Sequence, residues 1–131
     1  MKFDKKNYQL PDINKSIVAV IGLGYVGLPL AVEIAKKQPS FLSGEKLNRK
    51  VIGFDINLKR IEELKNGYDR TNEISSSENL TNVFSEITND FKKLIVADIF
   101  IITVPTPIDN NKEPDLNALK NASITVAKAL K

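Results

Sequence analysis

Three glycines, Gly22, Gly24 and Gly27, stand in the spacing G-x-G-x-x-G, and an acid, Asp55, closes the next apolar run. Glycines so spaced leave backbone N–H groups open and let the chain come close to a phosphate. Gly22 would permit the tight turn, Gly24 the approach of backbone to pyrophosphate, and Gly27 the packing of helix on strand. A helix starting there turns its positive end toward the same anion. Asp55 would accept hydrogen bonds from a ribose diol and repel a 2′-phosphate. A like-charge contact near 4 Å costs about 1–4 kcal/mol at a wet surface. The pattern therefore points to NAD rather than NADP. The same residues could also make a ligand-free turn and a turn-capping carboxylate, so the surrounding elements decide.

Those elements have the required form. Residues 16–23, SIVAVIGL, are β-branched and nearly all apolar, as in a strand buried on both faces. Residues 25–37 turn helical, with Pro29 in the first turn, where a missing N–H costs little. Residues 38–49, with Pro, Ser and Gly, predict an extended loop. Residues 51–54 form a second apolar strand, and 57–66 a helix stopped by Gly67. A polar stretch comes next, with a short helical turn expected near Ser76 to Leu80. A weak strand is expected over 83–87 and a helix over 88–95, with Phe91 and Leu94 inward. Residues 99–104 are a third strong strand, ended by Pro105-Thr106-Pro107. Asp115 should cap a last helix, 116–130, with an inward stripe of Leu116, Leu119, Ile124, Ala127 and Leu130.

This alternation predicts an α/β fold: a Rossmann-type parallel sheet with helices on both faces. Residues 1–15 read as a polar lead-in and 16–131 as one partial NAD-binding domain, the first half of the fold plus one strand. A full fold of this type has about six strands. The edge of the strand at 99–104 would then be an unpaired pairing template, and the fragment is expected to self-associate. The acid usually lies about 20 residues past the glycines. Here the interval is roughly 30, and the loop at 38–49 accounts for the excess at little cost.

Composition narrows the chemistry. The chain has no cysteine and no histidine. Zinc ligation by those residues, a Cys nucleophile, a His base and a Ser-His-Asp triad are excluded within it. A net charge of +3 from 19 basic and 16 acidic residues is too mild to argue for nucleic acid. The N-terminus lacks the apolar core of a signal peptide, and the apolar runs are too short to span a bilayer. A soluble, cytoplasmic protein with no membrane partner is expected. Arg60, on the helix after Asp55, could stack on adenine or reach a phosphate, or be a solvated helix residue. Thr106 sits at the crevice edge beyond a strand's C-terminal end, where ligands bind in open α/β sheets, or is an ordinary loop threonine.

Three segments, GLGYVGLPLAVEIAKK, VIGFDINLKRIEELKNGYDRTNEIS and ADIFIITVPTPID with EPDLNAL, carry a resemblance. Together, over residues 16–131, they resemble the UDP-glucose/GDP-mannose dehydrogenase family. Within it they look like the bacterial UDP-N-acetylglucosamine or UDP-N-acetylgalactosamine 6-dehydrogenases of surface-polysaccharide synthesis. The resemblance implies oxidation of a sugar C6 alcohol to a carboxylate in two NAD-dependent steps, with a UDP-sugar as partner. It implies that Tyr25 and Val26 join the glycine-loop contacts, that Asp55 and Arg60 hold the adenosine ribose side, and that Thr106 touches the cofactor. The family's cysteine nucleophile and its helpers lie in segments this chain lacks, so no catalytic residue is assigned and the fragment alone is expected to be inactive. A nucleotide-sensing module and an NAD-dependent hydroxyacid dehydrogenase are the competing functions.

Overall fold

The computed structural model describes residues 10–75 and 79–130. Four strands, β1 (Ile17–Ile21), β2 (Lys50–Phe54), β3 (Glu86–Thr88) and β4 (Ile99–Ile102), form one parallel sheet in the order β3-β2-β1-β4. Helices α1 (Gly27–Ala35), α2 (Leu58–Lys65) and α3 (Asn117–Ala129) cover it. The strand alternation splits the core in two. Val18 and Val20 of β1 point into one cluster with Leu28, Ala31 and Val32 of α1 and Ile61 and Leu64 of α2. Ala19 and Ile21 point into the other, with Leu94 and with Ala122 and Ala129 of α3. A strand buried on both faces needs apolar residues at every position, and β1 supplies them.

Several elements differ from expectation. The strand expected at 83–87 is shorter and later, because Val83 and Phe84 end a turn and pack on the core instead of pairing. Thr88 belongs to that strand rather than to a helix. After it the chain forms a 3-10 helix, Phe91–Val96, started by the Asp90 carboxylate, which accepts from Lys92 N–H. Leu94 is buried in it and Phe91 packs on the core, as the pattern requires. The turn expected at 76–80 lies mostly outside the described residues; its described end opens a 3-10 helix, Leu80–Asn82.

Helix α3 is turned the other way round. Leu116, Leu119, Ile124 and Leu130 are exposed, Leu130 by 61%. Ala118, Ala122, Val126 and Ala129 are less exposed and face the sheet side. Small side chains let a helix axis come close to a sheet, and dispersion rewards close approach. Hydrophobicity alone favours the bulky stripe and misses this. The cap differs too: α3 has Leu116 at its N-cap with no side-chain cap bond, and Asp115, one residue earlier, accepts from Asn117 N–H at 2.9 Å.

The loop at 38–49 is a small hairpin, with Pro39 bridged to Lys46. It is tied to the segment before β1: Asn48 N–H donates to Asn14 C=O at 2.8 Å, and the Asn14 amide donates to Glu45 at 2.6 Å. Asn14, expected in a loose lead-in, is buried. The hairpin therefore sits where β1 and β2 begin, at the opposite end of the sheet from the glycine loop.

Candidate functional site

The C-terminal ends of β1, β2 and β4 open into a cleft of about 700 Å³. This lies within the roughly 300–1,000 Å³ of small-molecule sites. Gly22, Gly24, Tyr25, Val26, Asp55 and Thr106 all line it. Gly27 lies beneath, as a packing residue. Residues distant in the chain are thus brought to one wall by the parallel sheet, since every strand ends on the same side.

The glycine loop is held at each end. Gly22 N–H donates to Phe54 C=O at 2.8 Å, and Gly22 turns the chain at φ +98°. Its carbonyl accepts from the Thr103 hydroxyl at 2.7 Å. Sequence reasoning misses Thr103, because nothing in a lone strand-end threonine announces that its hydroxyl reaches across the sheet. Beyond this clamp, the N–H groups of Gly24, Tyr25, Val26 and Gly27 donate to nothing among the described residues. Helix α1 also has no side-chain cap. Four open donors at a helix start, with the dipole behind them, make an anion site. A pyrophosphate fits what they lack.

Asp55 is fixed by two backbone donors: Leu23 N–H reaches one carboxylate oxygen and Asn57 N–H the other, each at 2.9 Å. A carboxylate offers about four lone-pair directions, so acceptor capacity is left over toward the cleft. Ile56, beside it, is 84% exposed and lines the cleft.

Arg60 is not at the cleft. Its residue is 3% exposed, and its place in the third position of α2 points it inward with Ile61 and Leu64. Nε donates to Leu23 C=O at 2.8 Å and Nη2 to Asp69 at 2.9 Å. A buried guanidinium needs such partners; Arg60 Nη1 makes no hydrogen bond among the described residues and stands 3.7 Å from a Glu63 carboxylate oxygen. The effect of Arg60 on the site is indirect. It ties α2 to Leu23, the residue just before Gly24.

Asp69, from the NGYDRTNE segment, completes this support. Burial raises its pKa, but the Thr71 hydroxyl, Arg60 and the N–H groups of Thr71 and Glu73 outweigh burial and bring it from 3.8 to about 2. A folded-state value below the unfolded one stabilises the fold above the unfolded value. That contribution, about 2 kcal/mol, should be lost as pH falls from about 4 through 2. Urea unfolding at stepped pH should show the loss, and Asp69→Asn should be less stable at pH 7 and flatter below pH 4. An equally steep acid limb in the variant would assign it to other carboxylates.

Among the described residues no group of three or more His, Cys, Asp or Glu could hold a metal, and no helix is long and apolar enough to cross a membrane.

Known proteins share both the sequence and the fold. A sequence model of the UDP-glucose/GDP-mannose dehydrogenase family, NAD binding domain, matches residues 16–131. Protein CapL of Staphylococcus aureus is 50% identical over 113 residues, 86% of this chain and 24% of the relative. A UDP-N-acetyl-D-glucosamine 6-dehydrogenase of Pseudomonas aeruginosa is 47% identical over 114 residues, 87% of this chain and 24% of the relative. The solved UDP-N-acetyl-mannosamine dehydrogenase Cap5O of Staphylococcus aureus superposes with TM-score 0.69 at 30% identity, covering 88% of this chain and 26% of that one. The chain spans about a quarter of the length of the curated relatives it matches.

Proposed function

The chain belongs to the UDP-glucose/GDP-mannose dehydrogenase family, whose NAD-binding domain it matches, and from that premise we propose that the protein carrying it oxidises the C6 alcohol of a UDP-N-acetylhexosamine to the carboxylate. The observation that carries this is the cleft itself. Open N–H groups and a fixed Asp55 meet at the C-terminal edge of the sheet, in a chain 47% identical to a UDP-N-acetyl-D-glucosamine 6-dehydrogenase.

NAD, when bound, supplies the hydride acceptor. This chain's residues bind and orient it. The N–H groups of Gly24, Tyr25 and Val26 take the pyrophosphate, Asp55 takes the ribose hydroxyls, and Tyr25, Val26 and Thr106 line the walls. Thr103 and Arg60 hold the loop from behind. Catalytic groups are proposed to lie outside these residues.

The test uses the protein encoded by the complete gene, with NAD and, in turn, UDP-N-acetylglucosamine, UDP-N-acetylgalactosamine, UDP-glucose and a small hydroxyacid. An alcohol becomes a carboxylate by two hydride transfers, so two NADH per UDP-N-acetylhexosamine are expected, with a uronate product. NADH formed only with the hydroxyacid would move the enzyme to another class. NAD binding without turnover of any substrate would favour a sensor.

We also propose that the 131-residue chain self-associates. Among the described residues strand β4 pairs with β1 on one side only, and its other edge, Ile99–Ile102, pairs with no described strand. Light scattering should show mass rising with concentration. A constant monomer mass at millimolar chain would sink the idea.

A further inference from the structure

One wall of the cleft belongs to α3. Ala118, Asn121, Ala122 and Thr125 line it, at the i, i+3, i+4, i+7 spacing of one helix face. Two alanines keep this wall low. The exposed Ile56 and the end of β2 line the same space. A low wall and an exposed apolar side chain suit a flat ring.

The order of groups along the cleft says which ring. The open N–H groups of the glycine loop take a pyrophosphate, and Asp55 takes the ribose attached to it. The base is joined to that ribose on the side away from the phosphates. Once phosphates and ribose are placed, Ile56, Asn57 and the α3 face are the lining left for it.

Few polar side chains lining the cleft can offer a free donor and a free acceptor side by side. Asp55 only accepts, and each of its oxygens already takes a backbone N–H. Asn57 has its amide oxygen on Arg60 N–H, Thr103 donates to Gly22 C=O, and Thr125 donates to the Asn121 backbone carbonyl. Tyr25 and Thr106 stay uncommitted among the described residues, but they belong to the glycine loop and the end of β4. On the α3 wall, the Asn121 side-chain amide bonds nothing among the described residues. An amide offers an acceptor oxygen and donor N–H groups side by side. Adenine offers the complement along its edge, an amino donor next to a ring-nitrogen acceptor, and asparagine pairs with it in two bonds.

We propose that Asn121 reads the adenine edge and makes this cleft selective for an adenine dinucleotide. The proposal rests on the NAD reading of the cleft and adds a residue to it. The pair uses the N6/N7 edge; in hypoxanthine N7 stays an acceptor and the 6-position becomes one as well, so that edge has no donor for the amide oxygen. The test compares NAD with nicotinamide hypoxanthine dinucleotide, by NMR titration of this chain and of Asn121→Ala. The parent chain should bind NAD roughly tenfold more tightly than the hypoxanthine analogue. In Asn121→Ala that ratio should fall to about one, with NAD affinity reduced. Alanine is the better helix former, so the melting temperature should not fall, and a change in ratio cannot be a folding effect. NAD binding with no preference, or a preference unchanged in Asn121→Ala, would overturn the role of Asn121 and leave the NAD reading intact. Shifts with neither dinucleotide at millimolar concentration would overturn both.

Discussion

Gly27→Ala should unfold this domain or bring it close to unfolding, while Gly24→Ala should leave it folded and holding NAD less tightly. Both changes add one methyl group to the same loop. At Gly27 that carbon would stand inside contact distance of the Gly22 carbonyl oxygen and the Thr103 hydroxyl, with the Gly22 carbonyl carbon at 3.0 Å. Two of those atoms are backbone, held by the Gly22 turn and the Thr103 clamp. They can yield only if α1 lifts off β1, which opens the cluster around Leu28, Ala31 and Val32. Overpacking typically costs about 1–3 kcal/mol and occasionally more, and a rigid backbone neighbour puts this case at about 3 kcal/mol or above. A domain of this size should lose about 10 °C of Tm or more. At Gly24 an added Cβ meets nothing within 4 Å. The fold should melt as before. The methyl would occupy the space through which a pyrophosphate approaches the open N–H groups, and NAD affinity should fall roughly tenfold or more, about 1.4 kcal/mol. Melting by circular dichroism and titration with NAD separate the two outcomes. Wild-type NAD binding by Gly24→Ala would remove the pyrophosphate from this loop. Wild-type melting of Gly27→Ala would mean the helix is not seated on the turn.

The contrast shows what is legible in the sequence. Gly22, Gly24 and Gly27 take separate roles from their spacing, because each role follows from the absence of a side chain in a known turn. Strands β1 and β2 are legible for the same kind of reason: a run without polar residues has few other places to go. Direction is harder. The stripe on α3 is visible, but its bulky half faces outward and its alanines face the sheet. Periodicity gives an angle around a helix, not which side a sheet occupies. The place of Arg60 after Asp55 suggests a cofactor contact, yet Asp69 and Leu23 C=O draw it inward. Thr103 and Asn121 give no local signal. Each acquires meaning only from groups far away in the chain, as the Thr103 bond to Gly22 shows.

Asp55→Asn should abolish the preference for NAD over NADP. The carboxylate stands at the end of β2, its backbone N–H on Thr88 C=O and its two oxygens on Leu23 and Asn57 N–H. It cannot swing away from a ligand without breaking those bonds. On the proposed placement of the ribose, its charge meets whatever occupies the 2′ position. With a hydroxyl there, the contact is a charged hydrogen bond, worth about 1.5–3 kcal/mol. With a phosphate there, it is a like-charge contact costing about 1–4 kcal/mol. Asparagine keeps the shape and removes the charge. Its amide also turns an N–H toward one of the two backbone donors, so a stability loss of about 1 kcal/mol should accompany the change. That loss should not favour either cofactor. Parallel calorimetric titrations with NAD and NADP read the difference directly. NAD binding should weaken roughly tenfold, NADP binding should hold or improve, and the ratio should approach one. A variant that still discriminated would place the 2′ position away from Asp55. Tighter binding of NADP than NAD by the parent chain would do so as well, because a fixed carboxylate at that position has no means of attracting a phosphate.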